Sequence, residues 1–334
     1  MAGAAPPVAI PVIDARAPDA AAAAGAACET LGCFHLTGAG LSRATLDTLL
    51  AESGSLFKAL AALPEGDARR AAILAHPVAT QFRGFTPLAD EALADGALVG
   101  DAKEGLYFGV EAGEGSSEAG LPLHGANVWP DATLAPGLRA AVEAAFGALM
   151  TVCTTMLLPM IATAAGEEGA FFEAAFAAGP PMAFLRPLHY PPVPSDPATV
   201  ACGAHTDYGL VTLLHTDGGP GLEVEVGGAW RSVPPPAHDG DGATVFVNVG
   251  DMLERWSGGR FKAAKHRVVL PSPPRDRLSA AFFFDPPFRA VIDGVRYGDY
   301  ILAKYRGTHA SFAAGWSEGR RREGGEATAA HSGA

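Results

Sequence analysis

Residues 203–214 read Gly203-Ala204-His205-Thr206-Asp207-Tyr208-Gly209-Leu210-Val211-Thr212-Leu213-Leu214, a polar turn that opens into an apolar β-rich run. Similar short runs surround it: Phe184-Leu185, Leu222 to Val226, Thr244 to Val249, Arg267 to Leu270 and Leu278 to Phe284. Each is bounded by Gly, Pro or Asp, the pattern of an antiparallel sandwich or jelly roll. The gaps leave no room for crossover helices, so a parallel doubly wound sheet is disfavoured. Neither a glycine-rich phosphate loop after a strand nor an internal repeat is found.

Working outward, the N-terminal half has a different texture. Pro18 to about Leu63 reads as helix around a short β-like piece, Cys33 to Thr37, and Ile10 to Ile13 reads as a leading strand. Residues 66–130 are rich in Gly, Pro and charge and read as loops around short elements, followed by a long helix from Leu134 to about Ala165. Tyr300 to Trp316 is expected to be a C-terminal helix wrapping back over the sheets, and Ser317 to Ala334 a disordered tail. The expected divisions are an N-terminal region at 8–130, a helical connection at 131–180, a jelly-roll core at 181–290, a C-terminal wrap at 291–316 and the tail at 317–334.

Composition narrows the partners. The 334 residues carry 24 Lys+Arg and 36 Asp+Glu, a net charge of −12, which argues against surfaces built for nucleic acid or anionic lipid. The Ala-rich start lacks a cationic leader and is broken by Pro6, Pro7, Pro11 and Pro18, so no targeting segment is read there. The apolar stretch Leu138 to Ala165 contains Arg139, Glu143 and Pro159 and reads as a buried helix rather than a membrane span. Four cysteines with no Cys-x-x-Cys pair give no zinc ribbon or disulfide framework, so a reducing, cytoplasmic setting is expected.

Chemistry enters through histidine. In extended backbone, residues i and i+2 share a face, so His205 and Asp207 offer an imidazole and a carboxylate to one point. A second imidazole from another strand, His266, completes two histidines and one carboxylate on one face of an octahedral metal, the set used by non-haem Fe(II) oxygenases. Eleven residues later, Arg277 and Ser279 open a strand on a common face, a guanidinium and a hydroxyl able to grip a carboxylate.

These residues, together with Gly221-Leu222-Glu223-Val224, Trp230, Asn248-Val249-Gly250-Asp251, Trp256-Ser257-Gly258-Gly259 and His266-Arg267-Val268, closely resemble the 2-oxoglutarate and Fe(II)-dependent dioxygenases of the isopenicillin N synthase-like group. Ile10 to Asp14, Gly32 to His35, Arg83-Gly84-Phe85, Asp101 to Glu104 and Leu123 to Pro130 look like that group's N-terminal region, so the resemblance spans roughly residues 8 to 310. It implies a mainly β fold with flanking helices: a double-stranded β-helix, cupin-like core with an N-terminal α/β region and a C-terminal helix. It makes His205, Asp207 and His266 the iron ligands and catalytic centre, and Arg277 and Ser279 the grip on the distal carboxylate of 2-oxoglutarate. Tyr190 is a further cosubstrate contact, whereas Leu188 stands where relatives commonly have asparagine.

The implied reaction uses Fe(II), dioxygen and 2-oxoglutarate, with ascorbate as the reductant in vitro. It releases succinate and carbon dioxide while oxidising, most simply hydroxylating, a small-molecule substrate. Retention of Asp207 argues against halogenation, since halogenating relatives have a small residue there. Following the face of Arg277 and Ser279 gives Ala281, Phe283 and Asp285 as inward residues and turns Phe282 and Phe284 outward. Phe283 would be an apolar wall. Asp285 could meet a polar or cationic group, though an aspartate before Pro286-Pro287 is ordinarily a turn residue. Phe108 is a further pocket candidate. His35, His76, His124, His189, His215, His238, His309 and His331 receive no ligand role. Two alternatives stay open: a same-fold oxidase acting without 2-oxoglutarate, and a metal- or ligand-holding protein without turnover. A monomer is expected.

Overall fold

The computed structural model describes residues 5–74, 81–93, 100–113, 115–167, 176–193, 200–238, 240–270, 273–309 and 312. Along the N-terminal half run β1 (Val12–Asp14), α1 (Ala20–Thr30), β2 (Cys33–Thr37), α2 (Arg43–Ala62), α3 (Ala68–Ile73), β3 (Gly84–Thr86), β4 (Glu104–Gly109), α4 (Leu138–Val152) and α5 (Leu158–Ala165). The second half contributes β5 (Met182–Tyr190), β6 (Cys202–His205), β7 (Val211–Thr216), β8 (Leu222–Val226), β9 (Ala229–Ser232), β10 (Val245–Val249), α6 (Asp251–Trp256), β11 (His266–Val268), β12 (Arg277–Asp285), β13 (Val291–Ile292), β14 (Val295–Arg296) and α7 (Tyr297–Thr308). The remainder of the helix expected to Trp316, the tail 317–334, His76 and His331 lie outside the described residues, His309 and Phe312 excepted.

Eight strands form one sheet in the order β1-β2-β10-β7-β12-β5-β4-β3, and four form a second, β6-β11-β8-β9. Every pairing in both is antiparallel except β1 with β2, whose connection is made through α1, as a parallel pair requires. This is the jelly roll expected from the spacing of the runs, with four strands that the runs did not reveal: β3 and β4, inside the loop-rich stretch, β6, four residues ending at His205, and β9.

β12 is the central plank. It pairs along all nine residues with β5 and along six with β7. Its alternation separates two environments. Phe282 and Phe284 are fully buried on the helix side, against Phe146 of α4 and Phe176 respectively. Arg277, Ser279, Ala281, Phe283 and Asp285 face the cavity between the sheets. Proline is unusual inside a paired strand, yet Pro187 lies in β5 between two neighbours. The ladder to β4 skips the stretch around it, with pairs at Gly105–Leu188 and Phe108–Leu185 but none between, because proline has no N–H to donate.

The helices cover the other face of the large sheet. α2 starts at Ser42, whose side chain accepts from the Thr45 N–H, and buries Leu46, Leu49, Leu50, Leu56, Phe57 and Leu60 on one stripe. The long helix starts at Leu138 rather than Leu134 and is interrupted by a π-turn at Cys153–Leu157, just before Pro159. That wider turn accommodates a residue that can neither donate to the preceding turn nor clear its carbonyl. Gly166 then closes the helix in the left-handed conformation, φ 78°. Phe282→Ala empties a site with no slack and is expected to lower stability by about 3–5 kcal/mol, measured by denaturant unfolding.

Candidate active site

β6 and β11 lie side by side with His205 directly opposite His266, so two histidines 61 positions apart become cross-strand neighbours with ring centroids 4.3 Å apart. Asp207 follows β6 and brings its Oδ1 to 3.7 Å from His205 Nε2 and 3.8 Å from His266 Nε2. One donor atom from each of the three lies within 4.8 Å of the other two. Both imidazoles are aimed by their far nitrogen: His205 Nδ1 donates to the Gly203 carbonyl at 2.7 Å and His266 Nδ1 to the Ala264 carbonyl at 2.9 Å. Each Nε2 is thereby left as a lone pair pointing at the common centre. Burial first, and the nearby His205 second, hold His266 below the usual histidine range, in the neutral form that binds metals.

Asp207 is itself oriented. Asn248 of β10 donates from Nδ2 to Asp207 Oδ2 at 3.3 Å, which leaves Oδ1 for the centre. Sequence reading placed Asn248 in a motif but gave it no role.

At the other end of the cavity sits Arg277, 1% exposed. Its partners are the Ser279 hydroxyl at 3.4 Å and the face of the Tyr190 ring, 4.9 Å away, and its Nε has no partner. Other buried cations are compensated differently: Arg83 donates to the Gln81, Phe82 and Leu123 carbonyls, and Lys103 and Arg186 meet Glu91. A guanidinium removed from water with one hydroxyl and one ring for company needs an anion. The cavity in front of it, about 860 Å³ with its open mouth, also holds His205, Asp207, His266, Ser279 and Tyr190. A small dicarboxylate reaching from Arg277 toward the three-residue centre therefore fits the groups present. Leu188, paired opposite Ser279, makes this part of the wall apolar. Burial pushes the Tyr190 phenol up to about 12, so it remains a neutral donor.

The wall carries a charge network that sequence reading missed. Lys103 Nζ touches Glu91 at 2.9 Å, Asp101 at 2.6 Å and the Cys202 thiol at 3.3 Å. Arg186 reaches both Glu91 oxygens at 3.2 Å and lies 3.9 Å from the Tyr107 ring centre. His309, set aside in the sequence, has Nε2 3.0 Å from Glu91 and 2.9 Å from the Tyr107 hydroxyl. Burial alone would raise the Glu91 carboxyl; Arg186, Lys103 and His309 overcome it and hold the group well below the carboxylate range.

Phe283 and Asp285 line the cavity as expected, and Asp285 is 3% exposed, with burial pushing its carboxyl up to about 7. Phe108 does not. It is fully buried and stacks on Trp129, 4.9 Å between centroids, while its neighbour Tyr107 faces the cavity. Once residues 104–109 form a strand, alternation admits one of the two aromatics to the cavity and excludes the other.

A β-sandwich with two histidines, a carboxylate and an unpaired arginine in one cavity defines the class of mononuclear non-haem iron oxygenases. Residues 181–286 match the 2OG-Fe(II) oxygenase superfamily, and residues 10–132 match the family described as non-haem dioxygenase in morphine synthesis N-terminal. The chain is 33% identical over 279 residues to the 2-oxoglutarate-dependent dioxygenase citB of Monascus ruber, covering 78% of this chain and 76% of that protein. It is 28% identical over 277 residues to a homoarginine-6-hydroxylase of Oryza sativa subsp. japonica, covering 81% and 79%. Among solved structures, a full-length Neurospora crassa protein in complex with alpha-KG and thymine superposes with a TM-score of 0.71 at 25% identity, covering 89% of this chain and 96% of that one. The chain belongs to the 2OG-Fe(II) oxygenase superfamily and is a 2-oxoglutarate-dependent Fe(II) dioxygenase.

Asn248→Ala frees Asp207 to rotate. It is expected to weaken Fe(II) binding about 10–100-fold, read by metal titration of the apoprotein; unchanged affinity would remove Asn248 from this role.

Proposed function

We propose that His205, Asp207 and His266 hold the iron, that Arg277, Ser279 and Tyr190 hold 2-oxoglutarate, and that the enzyme hydroxylates a small molecule seated against Phe283 and Asp285. The carrying observation is Arg277: a buried guanidinium without an acidic partner, in the same cavity as the three ligand residues. When bound, iron supplies the activation of dioxygen that couples decarboxylation of the oxo acid to substrate oxidation. In balance, substrate C–H, dioxygen and 2-oxoglutarate become substrate C–OH, succinate and carbon dioxide.

The protein's share is placement. His205 and His266 present neutral nitrogens, Asp207 contributes the one negative charge, and an anionic 2-oxo acid is drawn to the remaining positive charge of the centre. Arg277 and Ser279 hold the distal carboxylate by charge-assisted and neutral hydrogen bonds, which sets the reach of the oxo acid's other end. The ion-paired wall of Glu91, Lys103 and Arg186 keeps its charges occupied with one another and away from the reacting groups. Hydroxylation as the outcome is supported by the rice relative, named as a homoarginine hydroxylase.

Purified enzyme with Fe(II), ascorbate and 2-oxoglutarate is expected to consume dioxygen and release succinate slowly without a primary substrate. Asp207→Ala should abolish this together with iron binding; turnover that survives the substitution would overturn the ligand assignment. Loss of a hydrogen-bonded charge contact of about 1.5–3 kcal/mol in Arg277→Leu should raise the apparent KM for 2-oxoglutarate about 10–150-fold with iron content retained. Iron loss in that variant would make Arg277 structural, and dioxygen consumption without succinate would favour the oxidase.

A further inference from the structure

Among the described residues, the buried carboxylates other than Asp285 face a cationic or histidine partner. Glu91 meets Lys103 and Arg186, Asp101 meets Lys103, Glu118 meets Arg289, and Glu223 meets Arg267. Asp207 faces the two histidines of the proposed iron site. Asp285 is the exception among the described residues: it is 3% exposed, it lines the cavity, and no lysine, arginine or histidine pairs with it. Its near polar neighbour is the Tyr297 hydroxyl. Of the two cations on the adjoining helix α7, Lys304 is turned to the Tyr208 and Tyr300 rings and to Asp251, and Arg306 donates from Nε to the Leu302 carbonyl.

The position of this carboxyl is also constrained. A Cβ at Gly209 would collide with Asp285 Oδ1, so the glycine of the His205–Gly209 run leaves room for the acid beside the loop that carries Asp207. The cavity that Asp285 lines also contains the apolar side chains of Phe283, Phe184, Leu93 and Ile301. Arg277 and Asp285 thus stand at the two ends of one face of β12, a cation without an acidic partner and an acid without a cationic one, with Ser279, Ala281 and Phe283 between them.

We infer that Asp285 recognises the primary substrate, and that this substrate is a small, largely apolar nitrogen compound whose ammonium, guanidinium or ring N–H donates to the Asp285 carboxyl. The inference rests on the function proposed above and names the substrate class for the same cavity. The reasoning is the one that applies to Arg277: a buried group of one sign that lines a cavity and has no protein group of opposite charge beside it is satisfied by a ligand of complementary chemistry. A buried acceptor of this kind also discriminates strongly, because an analogue lacking the N–H leaves it unpaired.

The test uses the enzyme with Fe(II) and 2-oxoglutarate and a panel of matched pairs: aliphatic and aromatic amines, guanidines and cyclic N–H compounds, each beside the alcohol, ether or methylene isostere. Binding is measured anaerobically by calorimetry, and succinate release is measured in air. Compounds that bind and stimulate are expected from the N–H half, at least tenfold tighter than their isosteres. In Asp285→Leu the preference should invert, the apolar isostere binding better than the amine, which a purely structural role would not produce. Asp285→Asn preserves shape and should narrow the preference about tenfold if the leucine variant does not fold. Equal binding across the pairs, absence of any N–H binder, or equal weakening of both members in the variants overturns the inference. Succinate release by the wild type without panel compounds tests the proposed function separately, so its absence is a failure of that reading alone.

Discussion

A guanidinium that has left water without meeting an acid is the constraint around which this cavity is arranged. Arg277 opens β12, and everything that fixes β12 fixes the guanidinium: nine paired positions with β5, six with β7, and two phenylalanines driven into the helical layer. Isolated burial of such a charge costs several kcal/mol in a real protein interior. The strand can carry that cost because its outward face is among the most completely buried in the molecule. Stability concentrated on one face of the strand therefore supports a destabilised group on the other.

The adjoining part of the same sheet shows the contrasting solution. Glu91, Asp101, Lys103 and Arg186 are two acids and two bases brought from a loop, the approach to β4 and β5 into one buried cluster. Its charges cancel internally, so it does not compete for an anionic cosubstrate. A cluster of this kind is poor evidence of stability in itself, since an apolar replacement could pack as well. What it does provide is directionality: with Glu91 bound by Lys103, Arg186 and His309 at once, the approach to β4, β5 and the segment after α7 are tied to one another.

Legibility in the sequence followed the range of the interaction. The His205–Asp207 and Arg277–Ser279 pairs were readable because a two-residue period needs only local extended backbone, and His266 because its strand and order resembled a known pattern. The jelly roll was readable from the turn-bounded runs. The Glu91 cluster was not, since no local rule links residues at 91, 103, 186 and 309. Phe108 was misplaced for a related reason: without recognising β4 in a Gly- and charge-rich stretch, its parity could not be assigned, and Tyr107 took the cavity position. Pro187 likewise concealed the full length of β5, which survives because the β4 ladder is interrupted beside it.

Leu188 shows how a departure from the family pattern can be absorbed. Relatives commonly place an amide there, yet the residue lies directly opposite Ser279 and two positions before Tyr190, which pairs with Arg277. An apolar side chain at that point removes a competing hydrogen-bonding group, leaving the Ser279 hydroxyl and the Tyr190 phenol as the polar company of the guanidinium. Fewer protein partners for Arg277 mean more of its donors directed at a ligand. In the proposed reading the same logic runs along the strand to Asp285, so that selectivity at both ends of the cavity would come from the charge partners the protein withholds from its own buried groups.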